Sequence, residues 1–323
     1  MDTKPLVSFI ITYYNLPIHM LCECIDSILA LSLRPCEREI IVVDDGSDIS
    51  PMNGLMQYGD DIIYLRQKNL GVSVARNSAL RMTRGKYIQI IDGDDYLLQT
   101  PYEHCLDLIR YSNDIDVVMF DFSKTTKAPE TTFNDTTPMS GMEYLRNHNI
   151  RGAICCMLFR QVIRGELYFT KGIQYSEDEE FTPQLLLRAE VVVATDAKAY
   201  YYRVRNASAI HQTSKEKKEK RLNDTIEVIT NLNRIADTLP SNDRLAMQRR
   251  VAQLTMDYIY NTIVLTRSYQ TLNERLDELK AKGLYPLPAN DYNCKYTWFR
   301  KLTNTRLGLS ILQKVLPLLP KER

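Results

Sequence analysis

Residues 86–97 read KYIQIIDGDDYL. Lys86–Ile91 is a short, mostly apolar run of the kind that fills a buried strand, and it stops abruptly at Asp92-Gly93-Asp94-Asp95. Working back toward the N-terminus, Val7–Thr12 is a similar apolar, β-branched run, followed by Tyr13-Tyr14-Asn15. Glu39–Val43 is another, followed by Asp44-Asp45-Gly46-Ser47, and Ile62–Leu65 is a fourth. Between them, Leu21, Cys22, Ile25, Ile28 and Leu29 recur at helical spacing, with Pro35 beyond as a stop. Val72–Met82 reads as a second helix, and Asp116–Phe120 as a further strand after the acidic cluster. Strands spaced by helices predict an α/β fold with a mostly parallel sheet and crossover connections. In such sheets ligands gather at the carboxyl ends of strands, where the three polar clusters fall.

The 323 residues suffice for one large domain or two ordinary ones. An apolar fraction of 44% and a charged fraction of 25% fit a globular chain with a sizeable core. A formal net charge of +1 gives no global field toward nucleic acid, so none is expected as a partner. The seven cysteines lack metal-site or redox spacing and read as buried free thiols in a reducing cytosol. The opening residues, MDTKPLVSFIITYYN, do not read as a signal peptide, because the apolar run is short and breaks into tyrosines. No stretch approaches the roughly 20 apolar residues of a membrane span. The expectation is a cytoplasmic protein, or one lying on a membrane. Residues 123–140 form a polar, Thr- and Pro-rich loop, and the chain from about residue 215 reads as helical almost throughout.

Asp92, Asp94 and Asp95 at a strand end can converge on one hard cation, with phosphates and water completing its shell. A solvated acidic turn is the alternative reading. Asp44 or Asp45 can accept a hydrogen bond from a nucleobase imide, or can simply make a turn with Gly46. Asn69-Leu70-Gly71 opens the helix bearing Arg76, which suits a phosphate or leaves a surface arginine.

The ordered set SFIITYYN (8–15), EIIVVDDGSD (39–48), NLGVSVARNSAL (69–80), YIQIIDGDDYL (87–97), SEDEEF (176–181) and YYYRVRNAS (200–208) resembles the family 2 glycosyltransferases of the GT-A fold. The likeness spans about residues 6–211 and is specific as an ordered set. It implies an inverting enzyme that moves one sugar from a nucleotide diphosphate sugar, with a UDP-sugar expected, to a hydroxyl of a saccharide or lipid-linked acceptor. Cell-surface polysaccharide synthesis is the implied setting. Residues 1–212 would form the catalytic domain, with a nucleotide-sugar half at 1–120 and an acceptor half at 121–212, and residues 213–323 a helical C-terminal region.

The resemblance also implies roles. Thr12, Tyr14 and Asn15 would border base and ribose. Asp44 and Asp45 would contact the base, Asp45 by preference. Arg76 would help hold the ribose or diphosphate, and Asp92 would approach ribose or sugar. Asp94 would coordinate Mn²⁺ or Mg²⁺, with Asp95 in support. Asp178, in Glu177-Asp178-Glu179-Glu180-Phe181, would be the catalytic base, with Glu177 orienting it or binding acceptor. Arg203, Ser208 and His211 would close over the diphosphate. This chain has Ile-Thr-Tyr-Tyr where many members carry a proline, which bears on the local strand end. It has no Gln-x-x-Arg-Trp motif, which argues against a processive polymer synthase.

Residues 292–323 mix aromatic, leucine and basic residues, with Glu322 the one acid. This composition suits either peripheral contact with the inner membrane face or a helix packed on the domain with its basic face in water. Self-association through the helical tail is open. The rival functions are a sugar-phosphate nucleotidyltransferase, which would need a Gly-rich basic loop not present between Leu6 and Leu33, and a non-catalytic binding protein of the same fold.

Overall fold

The computed structural model describes residues 4–112, 114–125, 131–205 and 214–318. The chain divides into two compact units, Met1–Ser208 and Ala209–Arg323.

The first unit is built on one eight-stranded sheet. In chain order its elements are β1 (Val7–Tyr13), α1 (Ile18–Leu29), β2 (Arg38–Asp44), the single-turn α2 (Met52–Leu55), β3 (Ile63–Arg66), α3 (Val72–Leu80), β4 (Tyr87–Asp92), β5 (Tyr96–Leu97) and α4 (Gln99–Tyr111). These are followed by β6 (Val117–Ser123), α5 (Gly141–Asn147), β7 (Met157–Arg160), the short α6 (Gln161–Arg164), α7 (Glu177–Leu186) and β8 (Val192–Tyr201). The strand order is β3-β2-β1-β4-β7-β6-β8-β5.

The four strands read first, β3, β2, β1 and β4, are parallel neighbours. All seven residues of β1 are buried, as a strand covered on both faces requires. Register then fixes the site. Thr12 lies level with both Val43 and Asp92, and Tyr13 with Asp44, so three polar loops leave the sheet at one height.

Beyond β4 the parallel pattern breaks. The four-residue β7 inserts antiparallel between β4 and β6, so the strand expected at 116–120 is not β4's neighbour. The sheet is therefore mixed, parallel through its first half. The two-residue β5, just after the acidic cluster, pairs antiparallel with the end of β8: Tyr96 lies opposite Tyr201 and Leu97 opposite Tyr200. Stacking of Tyr96 on Tyr201, with centroids 4.5 Å apart, reinforces that pairing.

The second unit consists of α8 (Lys215–Thr238), α9 (Ser241–Thr266), α10 (Tyr269–Ala281), α11 (Cys294–Thr303) and α12 (Arg306–Val315). Leu222, Ile226, Ile229 and Leu232 recur at helical spacing on α8 and are buried, as are Met247, Val251, Leu254 and Tyr258 on α9, against which α8 packs. All seven cysteines are free, but Cys36 and Cys294 are exposed, so the expectation of buried thiols holds only in part. Among the described residues no helix is long and apolar enough to cross a membrane.

Candidate active site

The loop after β2 turns on Gly46, whose φ of +76° suits glycine. A Cβ there would also stand 2.5 Å from the Asn69 backbone nitrogen. Asp44 and Asp45 organise this loop from within. Asp44 is fully buried; its carboxylate accepts from the Ser47 N–H at 2.9 Å and the Tyr64 hydroxyl at 3.0 Å. Asp45 accepts from Gln67 Nε2 at 2.7 Å, the Leu70 N–H at 3.0 Å and the Gly71 N–H at 2.9 Å. Both side chains thus fasten neighbouring loops, and little of either faces solvent. Asn15, at a left-handed φ of +47°, joins the first loop to the second: its N–H donates to Ser47 Oγ and its side chain pairs with Asp48. Tyr14 stands half exposed beside them and Thr12 is almost buried at the strand end. Gly46→Ala is expected to lower unfolding free energy by about 1–3 kcal/mol, measured by urea denaturation. An unchanged midpoint would mean that the loop relaxes without cost.

The Asp92–Asp95 loop is clasped by the segment leaving β8. The Tyr200 hydroxyl donates to Asp95 Oδ2 at 2.8 Å and accepts from the Asp92 N–H at 3.2 Å. The Arg203 N–H donates to Asp95 Oδ1 at 2.7 Å, and Arg203 Nε to the Asp94 carbonyl at 2.8 Å. Arg205 Nε donates to Asp94 Oδ2 at 2.7 Å. Burial, then the charges of Asp92 and Asp94, push the Asp95 carboxyl up to about 8. Burial and Asp92 also raise Asp94, against the pull of Arg205. Burial is the larger cause of both rises and the neighbouring carboxylates add to it, so a cation at this loop would favour the ionised forms. Among the described residues no group of three or more His, Cys, Asp or Glu side chains is placed to hold a metal. A small hard cation that takes one or two protein carboxylates and fills its shell from a diphosphate and water does not need such a group. Asp94, with Asp92 beside it, fits that demand.

The third component comes from far along the chain. Arg76, on α3, is 3% exposed and lies over the Phe169 ring at 5.2 Å. One arm, Nη1, donates to Asp178 Oδ1 at 2.7 Å and to Glu177 Oε1 at 3.0 Å; the other, Nη2, donates to Asp92 Oδ1 at 3.1 Å. Glu177 and Asp178 open α7, where acids suit the positive helix end. The Ile154 N–H donates to the second Asp178 oxygen at 3.3 Å. Burial raises Asp178 to about 6, with Arg76 opposing and Asp92 adding to the rise. Burial and the adjacent Asp178 raise Glu177 to about 8, with Arg76 opposing.

The structure thus gathers Asp92, Asp94, Asp95, Arg76, Glu177, Asp178 and Arg203 around one strand end. Thr12, Tyr14, Asn15, Asp44 and Asp45 lie on the adjoining loops. Arg76 is committed to three carboxylates, and Arg203 to the Asp92–Asp95 loop and Glu23. Ser208 and His211 lie outside the described residues. Arg205 and Tyr200 escaped the sequence reading. For Arg205 the spacing of two from Arg203 was the available signal, since alternate residues of an extended chain share a face, whereas Tyr200 is out of phase with it.

Residues 8–165 match the model of a family described as Glycosyl transferase family 2. A Bacillus subtilis (strain 168) protein described as the uncharacterized glycosyltransferase EpsJ is 30% identical over 214 residues, covering 62% of this chain and 61% of that protein. The minor teichoic acid biosynthesis protein GgaB of the same organism is 27% identical over 221 residues, covering 65% of this chain and 24% of that one. The chain therefore spans about three fifths of EpsJ and a quarter of GgaB. Among solved structures, S. aureus TarS 1–349 in complex with UDP-GlcNAc aligns with a TM-score of 0.68 at 16% identity, covering 97% of this chain and 90% of that one. At that identity the likeness speaks for the fold alone.

Proposed function

We propose that this chain, which matches glycosyl transferase family 2 over residues 8–165 and has the GT-A fold with a helical C-terminal region, transfers one sugar from a nucleotide diphosphate sugar to an acceptor hydroxyl with inversion. The observation that carries this reading is the Arg76 guanidinium, which joins Asp92 at the end of β4 to Asp178 at the start of α7. One guanidinium thus ties the carboxylate proposed for the donor side to the proposed base, which supports their working in one site.

In this reading the loops after β1 and β2 receive the nucleoside, with Tyr14 and Asn15 at its edge. Asp45 offers its remaining acceptor capacity to the base, and uracil is the proposed base. Asp94, with Asp92 nearby and Asp95 in support, would hold Mn²⁺ or Mg²⁺; the ion would offset the charge of the leaving diphosphate. Asp178 takes the proton from the acceptor hydroxyl as its oxygen bonds to the anomeric carbon, and the bond from that carbon to the diphosphate oxygen breaks with its electron pair. Glu177, adjacent and on the same guanidinium arm, orients Asp178 or meets the acceptor. Arg76 keeps Asp178 ionised and pointed. Arg203 and Arg205 steady the diphosphate end, with Ser208 and His211 proposed to assist. A saccharide, free or on a lipid carrier, is the proposed acceptor, and cell-surface polysaccharide assembly the setting. The description of GgaB as a minor teichoic acid biosynthesis protein supports that setting.

A base must be deprotonated to act, so kcat/KM should rise with pH. With Asp178 at about 6, the limb should have an apparent pKa near 6, falling about tenfold per pH unit below it. A pH-rate series with a UDP-sugar and a saccharide acceptor measures this, and a flat profile from about pH 5 to 7 would remove Asp178 as base.

A further inference from the structure

Helix α12 buries Gly308 and Leu312 and turns an apolar stripe outward. Leu307, Ile311 and Val315, four residues apart, are 76%, 46% and 45% exposed, and Leu318 just beyond is 82% exposed. Steps of four keep side chains on one side of a helix. The element is built rather than frayed. A Cβ on Gly308 would meet the Leu302 carbonyl oxygen at 2.2 Å, so glycine lets α12 fold back closely on α11. The Gly308 N–H donates to the capping Thr305 hydroxyl at 3.1 Å, and α11 begins with Asn293 accepting from the Tyr296 N–H at 3.0 Å. On α11, Trp298 is 65% exposed, with Lys301 Nζ 5.4 Å from its ring centroid.

Charge narrows what can cover this surface. Residues 292–318 hold five lysines and arginines and no Asp or Glu. Lys295, Lys301, Arg306 and Lys314 are exposed. Lys314 lies on the leucine side itself, where its long stem can cover apolar surface while the ammonium reaches a charged layer. A second copy would bring the same cations against one another, which disfavours self-pairing. Nucleic acid offers anions but no apolar depth for four aliphatic side chains. A bilayer with anionic headgroups offers both layers in the required order.

We propose that α11 and α12 form a peripheral docking surface for an anionic lipid bilayer. The leucine-rich side of α12 and Trp298 enter the boundary between headgroups and acyl chains, and the lysines and arginines lie among the phosphates. Among the described residues no helix can span a membrane, so the attachment is interfacial. It does not depend on the transferase reading, and its test uses no sugar nucleotide.

The test is co-sedimentation of the full chain with vesicles of phosphatidylcholine alone and of equal parts phosphatidylcholine and phosphatidylglycerol. Binding is expected to the mixed vesicles only, weakening as salt screens the charges. Leu307→Asp with Ile311→Asp should reduce partitioning by about tenfold or more. Lys301→Glu with Lys314→Glu should do so by about tenfold while sparing the apolar stripe. Circular dichroism checks that each variant keeps its helices; if the first pair unfolds, the lysine pair decides. Failure of the wild type to bind mixed vesicles, or undiminished binding by a folded lysine pair, overturns the proposal. So does a wild-type dimer that the aspartate pair converts to monomer without vesicle binding, since the face would then join two copies.

Discussion

Asp178→Asn is expected to cut transfer by about 10²–10⁴-fold while nucleotide affinity stays unchanged. The substitution preserves shape, and the amide oxygen can still accept from Arg76, giving up the longer bond from the Ile154 N–H. What it removes is the ability to take a proton from the acceptor. Loss should therefore appear in kcat, with the KM for donor unchanged. The pocket is well suited to the task. Burial lifts the carboxyl into the region of neutral pH, where a base is both free to accept and strong enough to pull, while Arg76 stops it from rising further. Glu177→Gln, next to it, should cost less, because Asp178 keeps its own bonds to Arg76 and the Ile154 N–H. Steady-state kinetics beside nucleotide titration separate the cases. Equal losses of binding and turnover would make Asp178 a binding residue and move the base elsewhere.

Arg76→Ala should damage both stability and chemistry. The guanidinium is nearly inaccessible and faces three carboxylates, so its removal leaves buried like charges together. Breaking a buried ionic cluster by deleting one partner costs about 3–5 kcal/mol, and the lower end is expected because Asp92 is 37% exposed. Chemistry should fail through Asp178. Without the cation that opposes burial, its pKa rises, so the kcat/KM limb moves to higher pH. Arg76→Lys should restore part of the stability, since one ammonium cannot reach both Asp92 and the Glu177–Asp178 pair with the same fork. Urea unfolding and a pH-rate series check the two halves. A destabilised variant whose pH limb does not move would make Arg76 a structural brace only.

The strand ends were legible because burial and chemistry alternate sharply along this chain. IIVVDD and IQIIDGDD each pass from a mainly apolar run to acidic within one residue, and a buried strand cannot carry such a cluster except at its end. The shared height of Thr12, Val43 and Asp92 then follows from parallel register. Other features lay beyond local pattern. The four residues of β7 are too few to show a period, so the antiparallel insertion beside β4 left no mark. Asp45 read as a ligand group, and its second task of fastening Gln67, Leu70 and Gly71 is set by loop closure, which no local pattern records. Arg76 read either as a group for ribose or diphosphate or as a surface arginine. Its bridge to Glu177 and Asp178 crosses about a hundred residues of sequence, and only the folded chain brings them together. Arg205 was hidden likewise, because its partner Asp94 lies on a loop more than a hundred residues earlier.

The most direct test is calorimetric titration of UDP into the full chain with and without Mn²⁺, repeated on Asp94→Asn. The account predicts binding that strengthens with Mn²⁺ in the wild type and loses that dependence in the variant. Absence of binding by UDP, and then by GDP, dTDP and CMP, with or without the ion, would contradict it.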